Sequence, residues 1–363
     1  MQLAVLPGDG IGPDVINAAL PVIETVGLPW ALEYGDVGWE CWRSGGDPVP
    51  PQTWELLGKT DTCLLGAITS KPAREAEQEL PTCLRVNPPI YRSPVIQLRQ
   101  NLGLYANVRP IRDLRNDQFN FVVIRENTEG LYAGLDFRPV PADLWEHVRV
   151  HPNAADSGRE ETAATIRLQT RTGIERLVRF GFAYAHSHGF DRVTVADKPN
   201  VLRASSTLLR GIVESIAEEH PEIEVEILNV DALALWMVTR PERFGVILAE
   251  NMFGDILSDL GAGIMGGLGL APSANLGSSG SYFEPVHGSA PKMAGTGRAN
   301  PLATILTIAE IAEHHDFPRE ATTIRSAVRT VVERRHSSDV TYDLGGTATT
   351  TAAANAVLKE IER

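Results

Sequence analysis

The amino-acid sequence predicts an α/β fold with a largely parallel sheet. Short apolar runs alternate along the chain with longer segments in which apolar residues recur at helical spacing. Strands that alternate with helices are typical of domains in which helices cover a parallel sheet. A chain of 363 residues is long enough for about two domains of ordinary size.

Six apolar runs predict strands, at residues 3–6, 62–65, 121–124, 192–195, 224–228 and 246–249. Segments with helical spacing predict helices at residues 13–26, 163–187, 202–219, 232–239, 255–261, 301–314 and 322–335. Pro21 lies inside the first of these, where a proline costs about 3 kcal/mol, so that helix is expected to kink or begin late. Residues 261–280 and 285–301 are rich in glycine and proline and are predicted to be long, irregular and functional.

The composition disfavours several classes of protein. A net charge of −13 argues against non-specific binding to nucleic acid or to anionic membranes. The three cysteines form no C-x-x-C pair, so the chain is predicted to have neither a disulfide framework nor a zinc site. No apolar stretch approaches the roughly 20 residues of a membrane span. A reducing cytoplasm is therefore the expected location.

The chain opens with an apolar run followed by the letters GDGIG. This pattern is similar to a loop that binds a dinucleotide pyrophosphate, but the third glycine of that fingerprint belongs one residue later. Asp9, between the first two glycines, would repel a phosphate unless it were paired. The sequence therefore favours an ordinary turn from strand to helix over a phosphate site.

Three aspartates are candidate metal ligands. Asp255 and Asp259 are four residues apart on a predicted helix that follows an apolar strand, so both carboxylates point the same way. Such oxygen donors suit Mg²⁺ or Mn²⁺, although first-turn acids can also simply complement a helix dipole. Asp231 precedes another predicted helix and is either its N-cap or a third ligand. Spacing leaves these alternatives open.

Three arginines, a lysine and a tyrosine are candidate binding or catalytic residues. Arg125 ends an apolar strand, where a buried cation needs an anionic partner. If Arg99 and Arg109 converge on it, the three guanidiniums would bind a di- or tricarboxylate, whereas any one alone is typical of a salt bridge. Lys198 also ends a strand, where partial desolvation would suit it to proton transfer. Tyr132 offers a phenol as an acid.

Together these segments resemble the β-decarboxylating dehydrogenases, which act on isopropylmalate, isocitrate, homoisocitrate, tartrate or malate. The resemblance covers essentially the whole chain in order, and its motifs are most similar to those of the homoisocitrate and isocitrate enzymes. It rests on LPGDGIGP, LRQNLGLYANVRP, VIRENTEGLYAG, DKPNVL, VDALALWMV, NMFGDILSDLGAGIMGGLGLAPSANLG, EPVHGSAPKMAGTGRANP and DLGGTATT.

The resemblance implies an isocitrate/isopropylmalate dehydrogenase-like fold of two domains, with the active site in a cleft between them, and not a Rossmann fold. Residues 1–104 and 266–363 would form the cofactor-binding domain that contains both termini, and residues 105–265 the central domain. The enzyme would be a homodimer with shared active sites. One subunit would supply Lys198 and Asp231 to the site of its partner.

The resemblance also implies the role of each candidate. Arg99, Arg109 and Arg125 would bind the substrate carboxylates, and the three aspartates a divalent metal. Lys198 would take the proton of the C2 hydroxyl as hydride leaves C2 for the nicotinamide, and Tyr132 would protonate the enol that remains after CO₂ departs. Each of these positions holds the residue that the family requires. This argues against a non-catalytic regulatory subunit.

The segment YRSPVIQLRQ is expected to determine which substrate the protein accepts. Ser93 occupies a position at which isocitrate enzymes hold an extra carboxylate, while Val95 replaces their asparagine. This pattern favours a malate with a polar or acidic arm at C3, as in homoisocitrate or isocitrate. A phosphonate analogue stays open because Arg92 and Ser93 suit a phosphonate as well. Isopropylmalate and tartrate or D-malate dehydrogenases are the alternatives.

The resemblance places the cofactor against a late segment of the chain. NAD-using relatives carry an aspartate at the position of Lys292. A cation there would instead attract the 2′-phosphate of NADP and favour NADP binding by about tenfold in affinity. Met293 lacks the hydroxyl that NADP enzymes often place beside that lysine, and Arg298 is a further candidate cation. NADP is therefore favoured over NAD. The expected cofactor-binding residues are Ile11, His287, Gly288, Ala290, Lys292, Met293, Asn300 and Asp343.

Overall fold

A computed structural model of the chain describes residues 1–278 and 280–363. Its strands are β1 (Gln2–Gly8), β2 (Ala31–Tyr34), β3 (Thr62–Ala67), β4 (Ala106–Arg112), β5 (Asn120–Glu126), β6 (Asp136–Phe137), β7 (Ala164–Thr165), β8 (Arg192–Asp197), β9 (Glu224–Asn229), β10 (Val246–Ala249), β11 (Pro272–Leu276) and β12 (Ser281–Pro285).

The helices are α1 (Gly12–Ala19), α2 (Pro21–Thr25), α3 (Trp39–Gly45), α4 (Pro51–Leu57), α5 (Ala73–Gln78), α6 (Pro94–Asn101), α7 (Ala142–Val148), α8 (Pro152–Ser157), α9 (Arg171–His188), α10 (Arg203–Ala217), α11 (Val230–Thr239), α12 (Asn251–Met265), α13 (Leu302–His314), α14 (Pro318–Arg334) and α15 (Thr350–Ile361). No helix in the described ranges is both long enough and apolar enough to cross a bilayer.

One large sheet organises the molecule, with the strand order β2-β1-β3-β12-β11-β4-β5-β10-β8-β9. Neighbouring strands are parallel except at the centre, where β11 is antiparallel to β12 and β4, and β4 is antiparallel to β5. The predicted α/β class with much parallel sheet is confirmed, and the strand order is not that of a Rossmann fold. Residues 105–265 contribute β4, β5, β10, β8 and β9, which are contiguous in the sheet.

All six predicted strands are present, but the prediction missed four strands of this sheet, β2, β4, β11 and β12. Arg109, Pro110 and Arg112 interrupt the apolar pattern of β4, and the first two are nevertheless buried. The prediction that residues 261–280 are irregular was wrong, because this range contains the end of α12 and all of β11. Residues 286–301 do lack strands and α-helices.

Several predicted helices have other bounds in the structure, among them α14, which begins at Pro318 and not at residue 322. The helix at 13–26 is divided into α1 and α2 at Pro21, as the proline predicted. The helix at 163–187 was predicted to begin too early, because α9 begins at Arg171. Residues 164–165 instead pair with β6, and Thr170 caps α9 by accepting a hydrogen bond from the backbone N–H of Gly173 at 3.0 Å.

The core includes one helix that is buried on almost every side. The residues of α13 from Leu302 to Ala312 are all buried, and a helix of this kind has to run through the interior. It packs on β11 and β12 and also contacts α14. Helix α12 packs on β4 and β5, which are the strands that carry two of the candidate arginines.

Candidate active site

The three predicted substrate arginines influence one another. Arg109 and Arg125 stand on the adjacent strands β4 and β5, and Arg99 stands on α6. Burial lowers the pKa of Arg125 to about 10, and the charges of Arg99 and Arg109 act in the same direction. Burial and the charge of Arg99 also lower the pKa of Arg109. Arg99 itself pairs with Glu284 at 3.3 Å, so the three cations share one desolvated site in which carboxylates also lie.

Helix α12 brings the predicted metal ligands to these arginines. Asp255 pairs with Arg125, and Asp259 Oδ1 lies 3.0 Å from Arg109 Nη1. The helix can approach β5 because residue 254 is a glycine, at which a Cβ would lie 2.6 Å from the Cβ of Arg125. Both aspartates therefore face the arginine cluster.

The helix that carries these aspartates begins earlier than predicted. Glu250 caps α12 by accepting a hydrogen bond from the N–H of Phe253 at 3.1 Å, so Asp255 lies beyond the first turn. The alternative that these acids belong to the first turn and complement the helix dipole is therefore wrong.

Tyr132, the predicted acid, contacts the same cluster. Its hydroxyl donates to Asp255 Oδ2 at 3.1 Å, and the guanidinium of Arg125 lies 5.4 Å from its ring centre. Burial and the charge of Asp255 raise the pKa of the Tyr132 phenol. The phenol is therefore held in its protonated form, as an acid requires.

Lys198 and Asp231 form a separate pair. Lys198 Nζ lies 2.6 Å from Asp231 Oδ1, and neither side chain bonds to the arginine cluster in the part of the chain that the structure describes. The alternative that Asp231 caps a helix is wrong, because Asn229 occupies the N-cap of α11. Within residues 1–278 and 280–363, no three carboxylate, histidine or cysteine side chains form a metal-binding group.

Ser93 stands at the N-cap of α6, the helix that carries Arg99. Its hydroxyl lies 2.9 Å from the hydroxyl of Ser70, a residue that the sequence did not single out. Arg92 donates from Nη2 to Gln100 Oε1 at 2.7 Å, which holds its guanidinium beside the same helix. Two hydroxyls and one cation therefore occur at the start of the segment that was predicted to choose the substrate.

The predicted cofactor-binding residues occur in two groups. Ile11 and Ala299 belong to a small apolar cluster against which Ala290 and Met293 pack. The loop around Ala290 is tied to the first turn of the chain, because the N–H of Ile11 donates to the carbonyl of Ser289 at 2.8 Å. Segments from the two ends of the sequence thus form one surface.

The second group is polar. Asn300 Nδ2 donates to Asp343 Oδ2 at 2.9 Å. His287 lies 3.1 Å through Nδ1 from the carbonyl of Gly288, and burial lowers the pKa of its imidazole. Its Nε2 atom is buried and, among the described residues, has no hydrogen-bond partner. Lys292 is exposed to solvent.

The family model described as isocitrate/isopropylmalate dehydrogenase matches residues 2–361. The chain belongs to this family. Its members are dehydrogenases of hydroxy-carboxylates that generally use a divalent metal and NAD(P) and are typically dimeric.

Individual relatives agree with the family match but carry different names. The chain is 52% identical over 365 residues to the protein DlpA of Legionella pneumophila, covering 100% of this chain and 59% of DlpA. It is 36% identical over 368 residues to the 3-isopropylmalate dehydrogenase of Methanothermobacter thermautotrophicus, covering 100% and 99% of the two chains. The chain thus spans less than two thirds of DlpA but nearly the full length of the dehydrogenase.

A solved structure confirms the fold. The crystal structure of isocitrate dehydrogenase from Methylococcus capsulatus matches with a TM-score of 0.86 at 36% identity, covering 100% of this chain and 99% of that one. The predicted isocitrate/isopropylmalate dehydrogenase-like fold is therefore confirmed. Identity is equal to an isopropylmalate and to an isocitrate enzyme, so overall similarity does not choose the substrate.

The GDGIG loop is a turn, as the sequence favoured. Asp9 accepts backbone hydrogen bonds from Trp39 at 2.7 Å and Thr69 at 2.8 Å, so its carboxylate is occupied within the protein. Gly10 has φ +57, and a Cβ there would lie 2.0 Å from the carbonyl oxygen of Ser289. The glycine therefore allows this loop to pack against the loop that carries Ala290.

Sequence reasoning missed one residue beside the expected cofactor loop. The hydroxyl of Tyr342 lies 3.5 Å from the sulfur of Met293, and the guanidinium of Arg298 lies 4.6 Å from the ring centre of Tyr342. The phenol that Met293 cannot supply is thus present from another segment. The available signal was its position directly before Asp343 in the matching motif.

Proposed function

We propose that this chain catalyses the metal-dependent oxidative decarboxylation of a 3-substituted (R)-malate with NAD(P), giving a 2-oxo acid and CO₂. The convergence of buried arginines on one site carries the proposal. Arg109 and Arg125 both reach the carboxylate of Asp255, and the charge of Arg99 acts on both, so the site attracts a substrate with several carboxylates. The arginines hold the substrate without any change of protonation state.

The residues of the site suit a divalent metal. Asp255 and Asp259 supply two oxygen donors from one face of α12, and Asp231 of the partner subunit would add a third. A divalent metal held there would supply a Lewis acid, and NAD(P) would supply the hydride acceptor. Lys198 of the partner subunit removes the C2 hydroxyl proton, and Tyr132 returns a proton after CO₂ has left.

A polar or acidic arm at C3 of the substrate is supported by Ser93, Ser70 and Arg92. The two hydroxyls and the guanidinium offer hydrogen-bond donors that a carboxylate or a phosphonate can accept, whereas an isopropyl group has no acceptor for them. Homoisocitrate and isocitrate are the favoured substrates. Isopropylmalate, tartrate and D-malate are the competing ones within the same family.

A substrate panel tests the proposal. Purified protein with Mg²⁺ is offered isocitrate, homoisocitrate, isopropylmalate, malate, tartrate and phosphonomethylmalate, each with NAD and with NADP. We expect the highest kcat/KM for a compound with an anionic arm. Preference for isopropylmalate or an unsubstituted malate would overturn the substrate assignment, and failure of every compound would overturn the reaction class.

NADP is the proposed cofactor. Lys292 offers an exposed cation. Tyr342 contacts Met293 at the next position of the same loop, and Arg298 lies over the ring of Tyr342. A 2′-phosphate attracts such cations, whereas the ribose hydroxyls of NAD gain little from them. We expect Lys292→Asp to lower the ratio of kcat/KM for NADP to that for NAD by about tenfold.

The matched control for this test is Lys359→Asp, which makes the same charge change at an exposed position on α15. We expect it to leave the ratio unchanged. A wild-type protein that prefers NAD, or a Lys292→Asp variant with the wild-type ratio, would contradict the cofactor assignment.

A homodimer is the proposed assembly. Large apolar side chains on α11 and α12 are exposed in the single chain, namely Leu235 at 60%, Val238 at 57% and Ile256 at 58%. Exposed aliphatic side chains on adjacent helices mark a surface for a partner. Lys198 and Asp231 belong to the same region, because Asp231 lies on α11. This arrangement supports a partner that receives both residues.

A further inference from the structure

The three arginines of the site share an arrangement that neither the sequence nor the family match assigns. In each, the Nε–H donates to a buried, uncharged oxygen atom of another side chain. The pairs are Arg99 with Tyr282 Oη at 3.1 Å, Arg109 with Asn107 Oδ1 at 2.8 Å and Arg125 with Asn251 Oδ1 at 3.0 Å.

We propose that Tyr282, Asn107 and Asn251 are positioning residues, which we call the Nε anchors, and that they aim the guanidiniums at the substrate carboxylates. The inference rests on the proposed function, because it assumes that the arginines bind carboxylates. An anchor at Nε fixes the plane of a guanidinium while leaving terminal N–H groups to face the site. The anchors themselves are uncharged and add no negative charge beside the arginines, although Arg99 also pairs through Nη2 with Glu284 Oε1 at 3.3 Å.

The anchors are rigid because they are buried and are themselves hydrogen-bonded. Asn107 and Tyr282 are 0% exposed, and Asn251 is 2% exposed. Asn251 Nδ2 donates to the carbonyl of Glu129 at 2.8 Å, which can only accept, so the Oδ1 atom has to face the arginine. Residues held in this way lose little entropy when they orient a partner.

Asn107 is fixed in the same sense. Its Nδ2 donates to Ser273 Oγ at 2.8 Å and to Asn275 Oδ1 at 2.7 Å, both on β11. Asn275 Nδ2 in turn donates to Glu284 Oε1 at 3.0 Å. The orientation of the Asn107 amide is therefore set by the neighbouring strand.

Terminal nitrogen atoms of two arginines point toward α12, which lines the site. Arg109 Nη1 donates to Ser258 Oγ at 2.7 Å and to Asp259 Oδ1 at 3.0 Å. Arg125 uses Nη1 toward Asp255, while its Nη2 joins Nε in donating to the Asn251 anchor, at 2.8 Å. The anchored edge and the site-facing edge of these guanidiniums are thus different edges.

Tyr282→Phe is the mildest test, because it removes one oxygen atom and keeps the buried ring. The probe is malonate, a dicarboxylate that cannot be oxidised at C2, and its dissociation constant is measured by calorimetry with Mg²⁺ present. We expect Tyr282→Phe to weaken malonate binding by about tenfold, comparable with the loss of a hydrogen bond to a charged group. Tyr184→Phe on α9 is the matched control and should keep the wild-type dissociation constant.

A double-mutant cycle separates positioning from a general structural effect. If Tyr282 acts through Arg99, then Tyr282→Phe should weaken malonate binding less than about twofold when Arg99→Met is already present. An equal loss in both backgrounds, or no loss in the single variant, would overturn the inference. Absence of malonate binding by the wild type would instead overturn the carboxylate site of the proposed function.

Asn107→Leu provides a second, independent variant. Once a substrate is known from the panel, we expect its KM to rise about tenfold or more with little change in the KM of the cofactor. Thr307→Val removes a buried hydroxyl on α13 that donates to the carbonyl of Ala303 at 2.8 Å and bonds to no arginine among the described residues, and it should keep both KM values. Equal changes in the two variants would show that loss of a buried polar group, and not anchoring, is responsible.

Discussion

At the scale of single residues, Asp255 and Asp259 on α12 have two possible partners, an arginine and a metal ion. Asp255 pairs with Arg125 and Asp259 with Arg109, yet the same carboxylates are the proposed metal ligands. A bound dicarboxylate would take over the N–H groups of the arginines and leave the aspartates available to a cation. Metal and dicarboxylate should therefore bind cooperatively.

We expect the dissociation constant of Mn²⁺, followed by electron paramagnetic resonance of the free ion, to fall at least about fivefold when malonate saturates the protein. The titration is corrected for the Mn²⁺ that malonate binds without protein. In Arg109→Met, Asp259 no longer has an arginine that competes with the metal for its carboxylate. The fall in the Mn²⁺ dissociation constant caused by malonate should therefore be smaller in this variant. The same Mn²⁺ affinity with and without malonate in the wild type would contradict this prediction.

Because Gly10 has no side chain, the GDGIG turn can pack directly against the loop that contains Ser289. A Cβ at this position would meet the carbonyl of Ser289 at 2.0 Å, so Gly10→Ala has to move the GDGIG turn away from the proposed cofactor loop. We expect a loss of about 3 kcal/mol in the free energy of unfolding. The KM for the cofactor should rise more than the KM for the hydroxy acid, relative to wild type.

Gly27→Ala is the control for the backbone strain at Gly10. Gly27 also has a positive φ, +78, but no atom lies within 4 Å of a Cβ there. The Gly27→Ala variant should lose only about 1 kcal/mol in the free energy of unfolding, which is the cost of alanine in the left-handed region. Chemical denaturation and steady-state kinetics of the two variants measure the difference. Equal losses would mean that the contact with Ser289 is unimportant.

At the scale of elements, the hairpin of β4 and β5 positions Arg109 and Arg125. Asp113 closes its turn by accepting backbone hydrogen bonds from Arg115 at 2.9 Å, Asn116 at 3.1 Å and Gln118 at 3.3 Å. Burial raises the pKa of the Asp113 carboxyl, but these hydrogen bonds outweigh burial and hold the pKa below its usual value of 3.8.

Asp113→Asn should lower the free energy of unfolding by about 1 kcal/mol at neutral pH, because the bonds to an ionised acceptor are lost. A depressed pKa in the folded state means that this stability is present above the unfolded pKa and is lost as pH falls through the folded pKa. The difference between variant and wild type should therefore shrink below pH 3.8, the usual value. Urea denaturation at a series of pH values from neutral to acid measures it.

Asp117→Asn is the control within the same turn. Asp117 has φ +57, which asparagine tolerates, and its carboxylate makes an exposed ion pair with Arg329 at 3.1 Å. Its effect should be small at every pH. A pH-independent loss in Asp113→Asn would show that the carboxylate charge plays no part.

At the scale of the whole molecule, the roles proposed for Lys198 and Asp231 require a second subunit. Both residues belong to the proposed chemistry, but they bond to each other and not to the arginine cluster in the described part of the same chain. The exposed apolar residues of α11 offer the surface by which a second subunit could bring them to its partner. A dimer would therefore complete both sites at once.

Mixing two inactive variants tests this arrangement. Lys198→Ala and Asp255→Ala should each be inactive as homodimers. Unfolded and refolded together in equal amounts, about half of the dimers are hybrids with one intact site, so about a quarter of the wild-type activity should return. Each variant refolded alone is the control. Without any recovery, the lysine would have to act within its own chain.

Several features were predictable from local sequence. Apolar runs and helical spacing predicted the α/β class and six strands, because the period of hydrophobic residues reflects which face is buried. Pro21 predicted the break between α1 and α2, because a proline removes a backbone donor and clashes with the preceding turn. The four-residue spacing of Asp255 and Asp259 predicted that both would face one side of a helix.

Other features were decided by the tertiary structure. Strand β4 was missed because an arginine is normally a surface residue. Only the fold shows that Arg109 is buried beside Asn107 and Asp259. Arg99 and its anchor Tyr282 are 183 positions apart, so no local pattern relates them. By itself, the sequence determined the class of fold and the chemical types at the site. The tertiary structure decided which buried oxygen atom orients each arginine, because such pairing depends on contacts between distant segments.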